Sequence, residues 1–161
     1  MITKNIGVIG VSLGGASAIM SNISSRANAL VLEAVFPTFK DAVQNRMSIK
    51  LGKLGQLLSP LVLWQIEPRF GFSPDELAPI RMLSKLRTPI LIIAGTEDKH
   101  TTMSESKRMY DAVPGNKEFW AVEGAHHEDF MKYSPSQYKA KVQGFFERCL
   151  QNMKEILSPC V

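Results

Sequence analysis

The stretch Gly10-Val11-Ser12-Leu13-Gly14 constrains this chain more than any other. The residues before it, from Lys4 to Val11, are largely apolar and β-branched, as in a buried parallel strand. After it, Gly15-Ala16-Ser17-Ala18-Ile19-Met20 reads as the start of a helix running to about Arg26. A serine bracketed by glycines between strand and helix is the G-x-S-x-G pattern, whose sharp turn pushes the hydroxyl out at the carboxyl edge of a sheet. The flanking glycines, Gly10 and Gly14, let helix and strand backbones pass close by. The helix N-terminus faces any developing negative charge, and the Leu13 N–H is aimed at the oxyanion of an acyl intermediate. An ordinary Gly-rich turn can carry the same five residues, so the pattern needs chemical partners elsewhere in the chain.

The chain is long enough to supply them within one core. It has 161 residues, 45% of them hydrophobic, which suits a single globular domain spanning 1–161. No apolar run reaches membrane-spanning length; Leu54–Ile66 comes nearest and contains Pro60. The sequence carries no signal-peptide pattern, and a cytoplasmic location is expected. Cys149 and Cys160 lack metal-ligand spacing, so reduced thiols and no metal site are expected, and the serine chemistry considered below needs no cofactor. The net charge of +4 includes a loose cluster, Lys40, Arg46, Lys50 and Lys53, which reads as a solvated helix face. Neither a nucleic-acid nor a membrane partner is expected.

A second strand is expected at Ala29–Val35. Residues 37–86 then read as a helical, cap-like insertion. Thr38 with Asp41 can open one helix, Ser59-Pro60 another, and Ser73-Pro74-Asp75-Glu76 a third. Phe36, Phe39, Trp64, Phe70 and Phe72 either line a pocket under that cap or pack the core. Pro89–Ala94 predicts a third strand, ending at Gly95-Thr96-Glu97-Asp98. Thr102-Met103-Ser104-Glu105 caps the next helix, and Glu118–Val122 predicts a fourth strand. Ser134-Pro135 opens a last helix, whose apolar face steps through Tyr138, Val142, Phe145, Cys149 and Met153.

Three groups therefore follow the ends of three strands: Ser12, Asp98, and the pair His126 and His127. Ligand chemistry in open α/β sheets gathers at that edge. A serine hydroxyl needs a base, an imidazole is the usual one, and a carboxylate on its other nitrogen fixes the tautomer. Glu97 is the alternative acid, His100 reads as a solvated loop residue, and His126 as a surface residue on the pocket rim. Glu128 and Asp129 read as exposed or capping groups.

From about residue 4 to residue 150 the sequence resembles the C-terminal half of a serine α/β-hydrolase of the esterase- and peptidase-like branch. The resemblance rests on Gly10-Val11-Ser12-Leu13-Gly14-Gly15, on Pro89 through Asp98, and on Gly124-Ala125-His126-His127. It implies a partial α/β-hydrolase fold, with a mainly parallel sheet of about four strands, flanking helices and a helical insertion. It also implies a nucleophile Ser12, an acid Asp98, a base His127 in preference to His126, and an oxyanion donor at Leu13. The implied reaction is acyl-bond hydrolysis through an acyl-enzyme, on a carboxylic ester first, with peptide and thioester bonds as alternatives.

Family members carry further strands before the elbow and a loop supplying a second oxyanion N–H. Loss of one such donor costs about 2.7–4 kcal/mol of transition-state stabilisation. The expectation is a truncated gene model, set against a separate polypeptide that complements the missing half and a minimal domain that dimerises through the bare edge strand. Two other readings are weighed. The first is a dinucleotide-binding βαβ unit, with Gly10–Gly15 approximating G-x-G-x-x-G and Glu33 as the ribose acid. The second is a non-catalytic hydrolase-fold interaction protein.

Overall fold

The computed structural model describes residues 5–21 and 23–157, with backbone alone at Ser25 and 151–157. Four strands, β1 (Gly7–Val11), β2 (Ala29–Glu33), β3 (Ile90–Gly95) and β4 (Lys117–Val122), form one sheet in the order β1-β2-β3-β4. All three pairings are parallel, and Val11, Glu33, Ile93 and Trp120 fall in one row across the sheet. That register brings the carboxyl ends of the strands together.

The central strands β2 and β3 are buried along their whole length, as their continuous apolar runs require. Their side chains alternate between two cores. Leu30, Leu32, Ile90 and Ile92 face α1 (Leu13–Met20) and α7 (Met103–Ala112), with Ile19 and Met109 between. Val31, Leu91, Ile93 and Trp120 face the last helix, α9 (Pro135–Leu157), through Val142 and Phe145. Cys149 is a buried free thiol in this second core, pushed above the usual thiol range by burial. The Met153 side chain and Cys160 lie outside the described residues.

Element boundaries differ from the expectations in instructive places. The first helix stops at Met20, where Ser21 is extended, and a short α2 (Ile23–Arg26) follows. Strand β2 ends at Glu33 because Ala34 turns to φ 48°. The insertion between β2 and β3 contains α3 (Phe39–Leu51), α4 (Lys53–Trp64), α5 (Ile66–Phe70) and α6 (Pro79–Leu83). Thr38 caps α3 as expected, accepting from Asp41 N. Pro60, however, lies inside α4 rather than opening it. A proline there leaves the carbonyl four residues back without its N–H, and the Ser59 hydroxyl donates to that carbonyl, Gln56 O, at 3.0 Å. Ser73 starts a turn and no helix, although Glu76 accepts from its N–H at 3.1 Å. Pro79 has no N–H to donate and Ala78 before it is non-helical, at φ −125° and ψ 82°, so the turn is not propagated.

The aromatic residues of the insertion do not form one pocket. Phe36 is in the core, while Trp64 is 73% and Phe70 65% exposed. Trp64 borders a cavity of about 450 Å³ with Lys40, Gln44, Leu63 and Asp75, away from the strand ends. Lys40 pairs with Asp75 at 2.7 Å, so that member of the basic cluster is neutralised locally.

Candidate active site

Ser12 sits between β1 and α1 at φ 47°, a left-handed conformation unusual for a residue with a Cβ. Its N–H donates to Glu33 O at 2.7 Å, and its own carbonyl accepts Ala16 N at 3.1 Å. Strand and helix pack closest at Gly10 and Gly15. A Cβ on Gly10 would lie 2.5 Å from Gly15 Cα, and one on Gly15 would strike the Val35 side chain. Gly14 has nothing within 4 Å of such a Cβ, so the close approach expected of it belongs to Gly15 instead. Leu13 opens α1, where backbone N–H groups have no acceptor within the helix.

Asp98 lies beyond β3 with its side chain wholly buried, while the His127 side chain is 23% exposed. Asp98 Oδ1 accepts the N–H groups of His100 at 2.7 Å and Thr101 at 2.9 Å. Asp98 Oδ2 is 2.7 Å from His127 Nδ1, and His127 Nε2 is 3.2 Å from Ser12 Oγ. A proton on Nδ1, donated to the carboxylate, leaves the Nε2 lone pair facing the serine hydroxyl. The structure therefore brings Ser12, His127 and Asp98 into one hydrogen-bonded line.

Hydrogen bonds between the loops hold that line in place. Thr96 N donates to Val122 O at 3.1 Å and Glu97 N to Ala125 O at 2.9 Å, fastening the acid loop to the histidine loop. Gly124, at φ 72°, donates its N–H to Thr96 Oγ1 at 2.8 Å. Thr101 Oγ1 donates to Ala34 O at 3.1 Å, fastening the acid loop to the end of β2.

The other candidates fall outside the line. His126 turns away, its Nδ1 3.1 Å from Glu97 O and its N–H donating to Glu128 Oε1 at 2.9 Å. Asp129 caps the short α8 (Phe130–Tyr133) by accepting Lys132 N. Glu33 is buried and its carboxylate accepts the Tyr138 hydroxyl at 2.5 Å, so it is not presented to a ribose. Burial raises the Glu33 carboxyl above its usual range, the Tyr138 bond opposes this, and the Asp129 charge adds to it. His100 is not a solvated loop residue. It is partly buried, and its ring centroid lies 5.1 Å from that of His127. Sequence spacing gives no hint of this contact, because the 26 residues between them are closed up only by β3–β4 pairing.

A cavity of about 340 Å³ opens beside His127, lined also by Ile9, Val11, Glu33, Ala34, Met131 and Tyr138. Among the described residues, no group of three or more His, Cys, Asp or Glu side chains could hold a metal ion. No described helix is long and apolar enough to cross a membrane.

No family model matches the chain. It is 24% identical over 147 residues to the uncharacterized protein YqkD of Bacillus subtilis, covering 88% of this chain and 48% of that one. It is 37% identical over 96 residues to the alpha/beta hydrolase domain-containing protein 17C of Xenopus tropicalis, covering 60% of this chain and 30% of that one. The chain thus spans half or less of these curated relatives. Among solved structures, the esterase Pf2001 of Pyrococcus furiosus superposes with a TM-score of 0.66 at 21% identity, covering 91% of this chain and 54% of the esterase. Fold, strand-end geometry and relatives agree: the chain is related to the α/β-hydrolase superfamily, over part of the length of those proteins.

Proposed function

We propose that this chain bears the active site of a serine hydrolase acting on acyl bonds, with a carboxylic ester as the favoured substrate. The observation that carries the reading is the line Ser12 Oγ, His127 Nε2, His127 Nδ1, Asp98 Oδ2, with steps of 3.2 and 2.7 Å. In it, Ser12 attacks the acyl carbonyl as His127 takes the hydroxyl proton. The Leu13 N–H stabilises the oxyanion. His127 then hands its proton to the leaving group, and next draws one from the water that hydrolyses the acyl-enzyme. Asp98 holds the imidazole in one tautomer and stabilises the imidazolium. No cofactor enters this scheme.

The neighbouring cavity supports a small apolar acyl or aryl group, since Ile9, Val11 and Met131 line it. The outer side of β1, unpaired among the described residues, is proposed as a pairing surface, for a strand from a complementing N-terminal half or from a second copy. The buried free thiol Cys149 suits a reducing compartment, and the cytoplasm is the proposed location.

The test is the intact mass of the chain after treatment with a fluorophosphonate, beside Ser12→Ala. The expected result is one adduct on the first and none on the second. A folded wild-type chain that takes no adduct overturns the reading. Aryl acetates and butyrates are the substrates to try next, and failure on both, with labelling intact, would move the assignment to thioester or peptide bonds.

A further inference from the structure

We propose that His100 is a positioning residue, holding the His127 ring between Asp98 and Ser12 and linking helix α3 to that line. The inference rests on the serine-hydrolase reading above. Four observations carry it. The His100 and His127 rings are 5.1 Å apart and tilted by 47°, so one imidazole backs the other. The His100 N–H donates at 2.7 Å to Asp98 Oδ1, the oxygen that His127 does not use. The His100 carbonyl accepts Asn45 Nδ2, from α3, at 3.2 Å, and the same amide reaches Glu105 Oε1 at 2.8 Å. Finally, His100 Nδ1 is buried without a hydrogen-bond partner among the described residues. A buried polar atom left unpaired weakens a fold, so its presence against the proposed base asks for a role beyond stability.

The chemistry suits support rather than proton transfer. Burial, then the neighbouring His127 and Arg46 charges, hold the His100 imidazole below its usual range, while Asp98 opposes them. The shift favours the neutral imidazole. A neutral ring fills the space behind His127 without competing for the Asp98 carboxylate. It also adds no second positive charge when His127 is protonated during turnover. The Asn45 contact gives the insertion a grip on the same loop, so movement of α3 reaches the acid through the His100 backbone.

The test compares His100→Ala and His100→Phe in the full chain, each checked by circular dichroism for folding. Two readouts are used: the rate of fluorophosphonate labelling of Ser12 against reagent concentration, and the low-field proton resonance of the Nδ1–H between His127 and Asp98. Misplacement of a catalytic group by an ångström costs up to about 100-fold. His100→Ala is therefore expected to slow the maximal labelling rate by about 10–100-fold. The concentration giving half that rate should change little, and the low-field resonance should broaden. His100→Phe restores ring packing and is expected to recover both signals to within a few-fold. The proposal is overturned if folded His100→Ala labels at the wild-type rate with its resonance intact. It is equally overturned if folded His100→Phe, even as the sole variant that folds, loses labelling as Ser12→Ala does. A wild-type chain showing neither labelling nor resonance defeats the hydrolase reading itself, which is a separate outcome.

Discussion

At the scale of single residues, Asp98 and Glu33 are two buried carboxyl groups with different demands. Asp98 accepts two backbone N–H groups on one oxygen and faces His127 with the other. In Asp98→Asn the amide Oδ1 keeps the backbone bonds, which turns an NH₂ donor towards His127 Nδ1. The imidazole must then accept there and place its proton on Nε2, facing Ser12. The expected outcome is a folded protein whose labelling rate falls by about 10⁴-fold, the size of effect seen when a triad carboxylate becomes an amide. Glu33 has its carboxyl raised, first by burial. A carboxyl raised on folding contributes stability below its unfolded value, near about pH 4.3, and that contribution is lost as pH rises through the folded value. Glu33→Gln keeps an acceptor for the Tyr138 hydroxyl and has no proton to lose. Thermal melts should show it more stable than wild type near neutral pH, with the gap closing below about pH 4.

At the scale of elements, the turn between β1 and α1 depends on two backbones touching. Gly10→Ala drives a Cβ to 2.5 Å from Gly15 Cα, where no side chain can yield. Overpacking of this kind costs about 1–3 kcal/mol, and the shift is expected to disturb the Ser12 N–H bond to Glu33 O. Gly14→Ala meets open space in a helix and should gain about 0.5–1 kcal/mol. Each kcal/mol moves the melting point by roughly 2–4 °C in a chain of this length, so the pair separates clearly in a thermal scan. The sequence motif marks both glycines alike. Only the path of the helix back over the strand tells which one is in contact.

The same distinction explains what the sequence revealed. Ser12, Asp98 and His127 were legible because each follows an apolar strand run, and parallel pairing in register puts strand ends side by side. The start of α4 was not, because a proline ordinarily marks the first turn and Ser59 compensates for Pro60 within the helix. The partial burial of His100 is not legible in the sequence because it is made by α3 and by His127, both distant along the chain.

At the scale of the whole molecule, β1 is an edge strand whose Ile9 and Val11 side chains are 47% and 51% exposed. An unpaired apolar edge is a template for another strand. Sedimentation velocity is expected to show association that grows with concentration. Ile9→Lys, which puts a charge on that strand, should shift the protein towards monomer. A monomeric wild type across the same concentrations would remove the edge as a self-pairing surface. Along α4, Leu54, Leu57, Leu61 and Trp64 recur every three or four positions and are all exposed, which adds apolar surface of a second kind. Substituting Leu57 alone by Glu should leave edge pairing unaffected, which separates the two surfaces in one experiment.

The loops that carry Asp98 and His127 are joined to each other through main-chain atoms of Thr96, Glu97, Val122 and Ala125. Main-chain bonds are indifferent to the side chains around them, and the Thr96 hydroxyl, which accepts the Gly124 N–H, is the side-chain tie among them. A saturation library across residues 96–127 should therefore show a patchwork: Thr96, Asp98, Gly124 and His127 intolerant, with exposed neighbours such as Glu123 accepting most replacements. For an engineer this is a usable property, because the surface around the site can be rewritten for a new acyl group while the reacting atoms keep their spacing.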